Sequence, residues 1–212
     1  MNVVIADYGI VNLRNICHAF QYVGATVIAS ADPEVVQLAD ALVLPGVGSF
    51  SKGMEELTIR HLDEAIVECV KRGRPTLGIC LGMQLLMSTG TEYGVTAGLG
   101  LIAGRVERIP KEKHGGCIRK IPHIGWNSIQ KGPNSRVWND TCLKATRENE
   151  DCYFVHSYQA KPFNEASILA TTHYDGTDIV AAINENNVTG LQFHPETSGP
   201  AGLNILKQFY SS

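Results

Sequence analysis

Thr76-Leu77-Gly78-Ile79-Cys80-Leu81-Gly82-Met83-Gln84 carries an apolar run into a cysteine that has a glycine two positions before it and two after it. The run Thr76–Ile79 reads as a buried strand, the glycines permit a tight turn, and a helix is predicted to start near Leu81. A thiol on such a turn stands at the C-terminal edge of a sheet, where a helix N-terminus favours the thiolate and its free amides can face an oxyanion. Most cysteines flanked by apolar residues are core filler. Filler does not require glycine on both sides at a strand-to-helix junction, so Cys80 is expected to be a nucleophile.

Upstream of this elbow, strand-like runs at Val3–Ala6, Thr26–Ala29 and Ala41–Leu44 alternate with helix-like segments at Asn12–Val23 and Glu55–Arg72. That rhythm predicts parallel strands joined by crossover helices. Downstream, shorter strands are expected at Leu101–Ile109, Ile118–Ile121, Tyr153–Ser157, Ile168–Thr172, Ile179–Ile183 and Val188–Phe193, joined by Gly, Asn and Pro turns. Their close succession predicts an antiparallel addition to the sheet. A last helix is expected over Pro200–Phe209, and Pro110–Gly116 and Gly132–Asp151 read as surface loops. The fold class is therefore α/β: a central, mostly parallel sheet with flanking helices and an antiparallel extension in the second half.

Composition bounds the function. The 212 residues suit one domain with a full core, and 44% apolar with 18% charged residues is ordinary for a globular chain. A net charge of −3 without a dense Lys/Arg run argues against nucleic acid. The start, Met1-Asn2-Val3-Val4-Ile5-Ala6, enters a strand without a basic leader, and no apolar stretch reaches membrane-spanning length. A cytoplasmic protein without a membrane role is expected. The six cysteines, at 17, 69, 80, 117, 142 and 152, form no Cys-x-x-Cys pair, so reduced thiols are expected and neither a zinc site nor a disulfide scaffold.

The partners of Cys80 lie far downstream. His194-Pro195-Glu196 is the only His-x-Glu of the chain and follows Gly190-Leu191-Gln192-Phe193, a strand end. In an extended segment residues two apart point to one side, so Glu196 can hold one imidazole nitrogen while the other faces the thiol. A lone histidine at a strand end is more often a capping or solvent-facing residue; a glutamate two residues on is what distinguishes His194 from His18, His61, His114, His123, His156 and His173. No histidine pair has i, i+4 metal spacing, and no metal or cofactor is expected. A second glycine-rich turn, Pro45-Gly46-Val47-Gly48-Ser49, follows the strand Ala41–Leu44. It lacks the lysine and the length of a phosphate loop. It reads as an oxyanion donor, with Val47 or Gly48 supplying an N–H beside that of Leu81, or as a plain connecting loop.

Together these pieces resemble the class I glutamine amidotransferases, nearly end to end. Within that class the text is similar to the glutaminase subunit of imidazole glycerol phosphate synthase. The narrower strings are Asp7-Tyr8-Gly9 with Asn12, Leu44-Pro45-Gly46-Val47-Gly48, Pro122-His123-Ile124-Gly125-Trp126-Asn127 and Tyr153-Phe154-Val155-His156-Ser157-Tyr158. The resemblance implies one amidotransferase domain over 1–212. It also implies hydrolysis of L-glutamine by a Cys80–His194–Glu196 triad, in a heterodimer with a cyclase subunit, a (β/α)8 barrel, that uses the ammonia in histidine biosynthesis. By the same resemblance Gln84, Glu92 and the backbone around His156, Ser157 and Tyr158 contact substrate, and Asn12 and Thr197 face the partner. Gln84 could otherwise be an ordinary exposed helix residue. Two positions depart from the family pattern: Val11 stands where glycine is usual, and Thr197 where Lys or Arg is common. The active-site motifs are shared by relatives serving other synthases, such as those that aminate sugars for cell-surface polysaccharide. A regulatory module without catalysis would need a broken triad, and the triad motifs are intact. A cysteine peptidase or redox thiol protein of related fold is disfavoured by Gln84 and the His-Pro-Glu context.

Overall fold

The computed structural model describes residues 2–112, 118–133 and 138–211. Its first half is four parallel strands, β1 (Asn2–Ala6), β2 (Thr26–Ser30), β3 (Ala41–Leu44) and β4 (Thr76–Ile79), with helices between them. The helices are α1 (Leu13–Tyr22), α2 (Pro33–Gln37), α3 (Phe50–Ile59) and α4 (Leu62–Lys71). Strand alternation sorts the apolar residues into two cores. Val3, Ile5, Val43, Leu77 and Ile79 face α1 and the last helix, α6 (Gly199–Tyr210). Val4, Leu42 and Leu44 face α2, α3 and α4. Each helix answers with an apolar stripe at i, i+3, i+4 spacing, such as Ile16, Ala19 and Phe20 on α1 and Leu62, Ala65, Ile66 and Cys69 on α4.

After β4 comes the short helix α5 (Leu81–Leu85), then β5 (Met87–Gly90), β6 (Thr96–Ala97), β7 (Ile102–Arg108), β8 (His123–Lys131), β9 (Glu150–His156) and β10 (Tyr158–Pro162). β11 (Ile168–Tyr174), β12 (Thr177–Glu185) and β13 (Val188–Leu191) follow, leading to α6. Nine strands form one sheet in the order β2-β1-β3-β4-β13-β12-β11-β8-β9, and four form a second, β10-β7-β5-β6. β13 runs parallel to β4, and from β13 outward every pairing is antiparallel. The expected parallel sheet with an antiparallel addition is borne out; the second sheet was not anticipated.

Several element expectations are corrected. Glu55–Arg72 is two helices, because His61 takes a left-handed conformation at φ 56°. The apolar stripe of α3 (Phe50, Gly53, Met54, Leu57) restarts five positions later at Leu62, which places it on another side of a continuous helix, so the chain breaks there. The segment Ile118–Ile121 is not a strand: Ile118 makes only an isolated bridge with Glu112 and is exposed, and the strand begins after Pro122, which has no N–H for a ladder. The segment 132–151 is not a plain surface loop. Trp138, Cys142 and Leu143 are buried, Trp138 Nε1 donates to the Leu169 carbonyl at 2.8 Å, and Glu150 and Asp151 already belong to β9. Residues 134–137 of that loop, residues 113–116 of the other, and with them His114 and Cys117, lie outside the described residues. No helix among the described residues is long and apolar enough to cross a membrane.

Candidate active site

Cys80 is the hinge between β4 and α5. Its backbone sits at φ 55°, ψ −108°, a conformation that costs an L-residue energy. Close packing forces it. A Cβ on Gly82 would stand 1.7 Å from the Leu44 carbonyl oxygen, and one on Gly78 would stand 2.7 Å from the Gly82 carbonyl. The two flanking glycines therefore allow the turn to press against β3, and Cys80 N–H is held by the Leu191 carbonyl of β13 at 2.7 Å. Leu81, the first residue of α5, has an amide without an intrahelical acceptor.

β13 delivers the histidine. His194 follows it, and its backbone N–H donates to the Tyr153 carbonyl of β9 at 2.9 Å while Phe193 packs edge-on against Phe154, ring centres 5.7 Å apart. His194 Nδ1 lies 2.8 Å from Glu196 Oε1, and both side chains are about nine-tenths buried. The segment is not extended as expected. Pro195–Thr197 is a short 3-10 turn, and the carboxylate reaches the ring across that turn rather than along a strand. Nε2 has no hydrogen bond within ordinary limits. Burial pulls the His194 pKa down, but the adjacent Cys80 sulfur and the hydrogen-bonded Glu196 carboxylate outweigh it and push it well above the usual imidazole range. The thiol–imidazole contact is thus electrostatically coupled yet looser than a formed bond, as catalytic contacts often are before substrate arrives.

The cysteines separate by environment. The five described ones are free. Burial pushes the thiol of Cys69 up to about 11 and those of Cys142 and Cys152 up to about 12, and it raises Cys17 as well.

A cavity of about 330 Å³ opens over the thiol. Val47, Gly48, Leu81, Gln84, Glu92, His156, Ser157, Tyr158 and His194 all line it with Cys80, so the fold brings together most of the residues singled out in the sequence. A larger hollow of about 580 Å³, lined by residues such as Gln37, His61, Glu64 and Lys71, contains none of them. Three of these side chains also make bonds within the protein. Gln84 is buried, not an exposed helix residue, and its Nε2 donates to the Tyr158 carbonyl at 3.0 Å and to Gln192 Oε1 at 3.1 Å. Both ring nitrogens of His156 are engaged, Nδ1 with the Tyr158 carbonyl at 2.8 Å and Nε2 with His123 Nδ1 at 3.1 Å. Its ring is thus tied to the turn that follows. Glu92 accepts from the Phe50 N–H at 2.8 Å, capping α3, whose N-cap Ser49 makes no side-chain cap.

In the Pro45–Gly48 loop, Val47 N–H donates to the Ile10 carbonyl at 3.1 Å and so is not offered to the cavity here. Gly46 is needed for close approach, since a Cβ there would meet Tyr8 Oη at 2.0 Å, whereas Gly48, at φ 100° with open space around it, supplies the conformational freedom. Asn12 and Thr197 lie outside the cavity and are exposed, Asn12 before α1 and Thr197 directly after Glu196. Sequence reasoning missed Gln192, which is fully buried beside the thiol; its place two residues before His194 was the available signal. It also missed His123, whose Nε2 lies 3.5 Å from Asn127 Nδ2. Among the described residues no group of three His, Cys, Asp or Glu is placed to hold a metal.

A strained cysteine elbow, a histidine–carboxylate pair just past the neighbouring strand and a glycine-rich loop stand around one cavity, an arrangement of the amidotransferase type, and a family model gives the same class. Residues 4–212 match the glutamine amidotransferase class-I family, and the chain belongs to it. More particularly, it is 48% identical over 98% of both chains to imidazole glycerol phosphate synthase subunit HisH 1 of Legionella pneumophila (strain Lens). It is 44% identical to subunit HisH of Methanothermobacter thermautotrophicus, over 98% of this chain and 96% of that one. A solved glutamine amidotransferase superposes with a TM-score of 0.72 over 99% of both chains at 16% identity, which speaks to the fold. The resemblance drawn from the motifs is borne out.

Proposed function

We propose that this chain is the glutaminase subunit of an imidazole glycerol phosphate synthase. It would release ammonia from L-glutamine through Cys80, His194 and Glu196 and pass it to a cyclase subunit in histidine biosynthesis. The observation that carries the chemistry is the juxtaposition of a strained thiol with a carboxylate-held imidazole inside a cavity large enough for an amino acid. The Cys80 thiolate attacks the side-chain carboxamide carbon, and the carbonyl oxygen takes the negative charge beside the Leu81 amide. The protonated His194 gives its Nε2 proton to the departing nitrogen, leaving a thioester and ammonia. Neutral His194 then takes a proton from water, the hydroxide adds to the thioester, and collapse releases glutamate and the thiolate. Glu196 holds the ring through Nδ1 in both halves of the cycle.

The second oxyanion donor is the N–H of Val47 or Gly48, presented after the loop rearranges. In the described conformation the Val47 amide is bound to Ile10, so full activity awaits an event that turns the loop, and partner binding is that event in this reading. The partner face is the outer side of β8–β9. Ile124 and Trp126 stand exposed opposite Val155 and Tyr153 in the strand register, and the Trp126 and Tyr153 rings meet edge to face at 6.0 Å. This apolar patch adjoins Thr197, since Tyr153 carries the His194 backbone. The names of the relatives support the histidine-pathway assignment. The exposed Thr197, where a basic residue is common, favours as second reading a synthase with a different barrel, such as a sugar-aminating one.

The test is glutamate release by the purified chain, alone and mixed with the histidine-pathway cyclase and its ribotide ligand, with Cys80→Ala as control. Stimulation that Cys80→Ala abolishes is expected. Activity that needs Cys80 but ignores this cyclase points to the other synthase, and absence of glutamate release under both conditions overturns the glutaminase.

A further inference from the structure

Gln192 has no part in the triad, yet it touches the nucleophile. Its side chain is fully buried, so its amide has to be hydrogen-bonded to be tolerated there. Nε2 lies 3.8 Å from Cys80 Sγ, an ordinary length for a bond to sulfur, and Oε1 lies 3.1 Å from Gln84 Nε2. Heavy-atom positions alone do not distinguish the two ends of an amide; the surrounding network does. The Tyr158 carbonyl can only accept, so the end of Gln84 that meets it at 3.0 Å is the nitrogen. The second proton of that nitrogen points to Gln192, whose receiving atom must then be oxygen. Gln192 is thereby left with its NH2 turned toward the sulfur.

The other polar neighbour of the sulfur is different. Cys80 Sγ lies 3.9 Å from the Val155 carbonyl oxygen, which can bind only a protonated thiol. The two neighbours therefore favour opposite states: Val155 the thiol, Gln192 the thiolate, because an anionic acceptor forms the stronger bond with an N–H.

We propose that Gln192 is a further catalytic residue, an N–H donor to the Cys80 thiolate whose amide is locked in the donating orientation by Gln84 and the Tyr158 carbonyl. It acts twice in the cycle, when the resting thiolate attacks and when the sulfur leaves the thioester as an anion. Gln84 is a positioning residue in this scheme, whatever contact it also makes with substrate. The inference rests on Cys80 being the nucleophile of a glutaminase.

The test is the pH dependence of Cys80 alkylation by iodoacetamide, followed by intact mass with Cys80→Ala as the blank, beside steady-state glutaminase kinetics. Gln192→Met keeps the volume and removes the donor. Its alkylation midpoint should rise by about half a unit to one unit, with a rate at neutral pH about three to tenfold lower and kcat reduced more than KM is changed. Gln192→Glu keeps the oxygen that serves Gln84 and puts an anionic oxygen against the sulfur, and its midpoint should rise further. A Gln192→Met profile that overlays the wild type overturns the proposal even if the Glu variant shifts, because charge repulsion alone moves the latter. If Gln192→Met does not fold, Gln84→Met carries the same test: it leaves Gln192 in place but unlocks it, and an unchanged midpoint there overturns the lock and the proposal with it. Failure of the glutaminase reading looks different, as a wild-type protein that releases no glutamate whatever its alkylation profile.

Discussion

At the scale of single residues, the site is set by atoms that have no room to be otherwise. Cys80 bears its strain because the sulfur must stand at the turn; Cys80→Gly, free of the Cβ clash, should abolish turnover while stabilising the fold by about 1 kcal/mol, read as a higher urea midpoint. Gly82→Ala should do the reverse, since its methyl would enter the Leu44 carbonyl, and loss of a cooperative unfolding transition is expected. The buried histidines make a pH prediction. Burial lowers His123 to about 4 and His156 to about 3 from an ordinary 6.5. The unfolded chain then binds more protons than the folded one between those values and 6.5. Their contribution is intact above 6.5 and is lost as pH falls through 4 and 3. His194 has the opposite sign: its raised pKa contributes below 6.5 and is lost as pH climbs through its folded value. Urea midpoints measured from pH 7 to pH 4 should fall for the wild type and fall less steeply for His123→Phe; parallel slopes would show that His123 titrates as it does in the unfolded chain. Of these features the sequence made the elbow and the His-Pro-Glu legible, because glycine spacing and a local carboxylate are written in consecutive letters. The His123–His156 contact and the Gln84–Gln192 pair are not, since each joins residues 33 and 108 positions apart.

At the scale of elements, the parallel half was legible because β-branched and apolar runs alternate with helix-period stripes, and its strand bounds agree with the text almost residue for residue. Helix α2 was missed although it carries a local signature: Asp32 caps it by accepting from the Glu34 N–H at 2.9 Å, and Pro33 occupies its first position. The break between α3 and α4 was harder, because neither Gly nor Pro marks it; only the change of phase in the apolar stripe does. The strand β8 was read as a motif rather than as an element, since one of its faces is exposed and two of its apolar residues, Ile124 and Trp126, stand on it, leaving Ile129 as the buried one. Two measurements address this level. Phe193→Ala, which empties the contact with Phe154 under β13, should cost about 3–5 kcal/mol in urea denaturation and should slow turnover as well, because His194 is the next residue. Trp126→Ala should weaken binding of the cyclase in titration calorimetry by about tenfold or more, as removal of a central aromatic contact does; unchanged affinity would move the docking face elsewhere.

At the scale of the whole molecule, the site stands where the two sheets share one strand of chain: β9 ends at His156 in the larger sheet and β10 starts at Tyr158 in the smaller. Ser157 between them lines the cavity, and the Pro45–Gly48 loop closes it from the parallel side. That loop is the part most open to control. Gly48→Ala has free space for its methyl but an unfavourable φ of 100°, so it should disfavour the described loop by about 1 kcal/mol and raise partner-independent glutamate release by about fivefold. A rate at or below the wild type would mean that the described loop does not act as the brake. The ribbon β9 has a last consequence. Its residues alternate, Tyr153 and Val155 outward, Phe154 and His156 inward against the His194 segment and the cavity, and its carbonyls at 153 and 155 touch the base and the nucleophile from behind. If the proposed docking face holds, recognition and chemistry are two sides of one seven-residue strip. In that reading a change at Tyr153 or Val155 also moves the carbonyls that touch His194 and Cys80, so partner preference is adjusted with less effect on the chemistry at exposed positions off β9, such as Asn12 and Thr197.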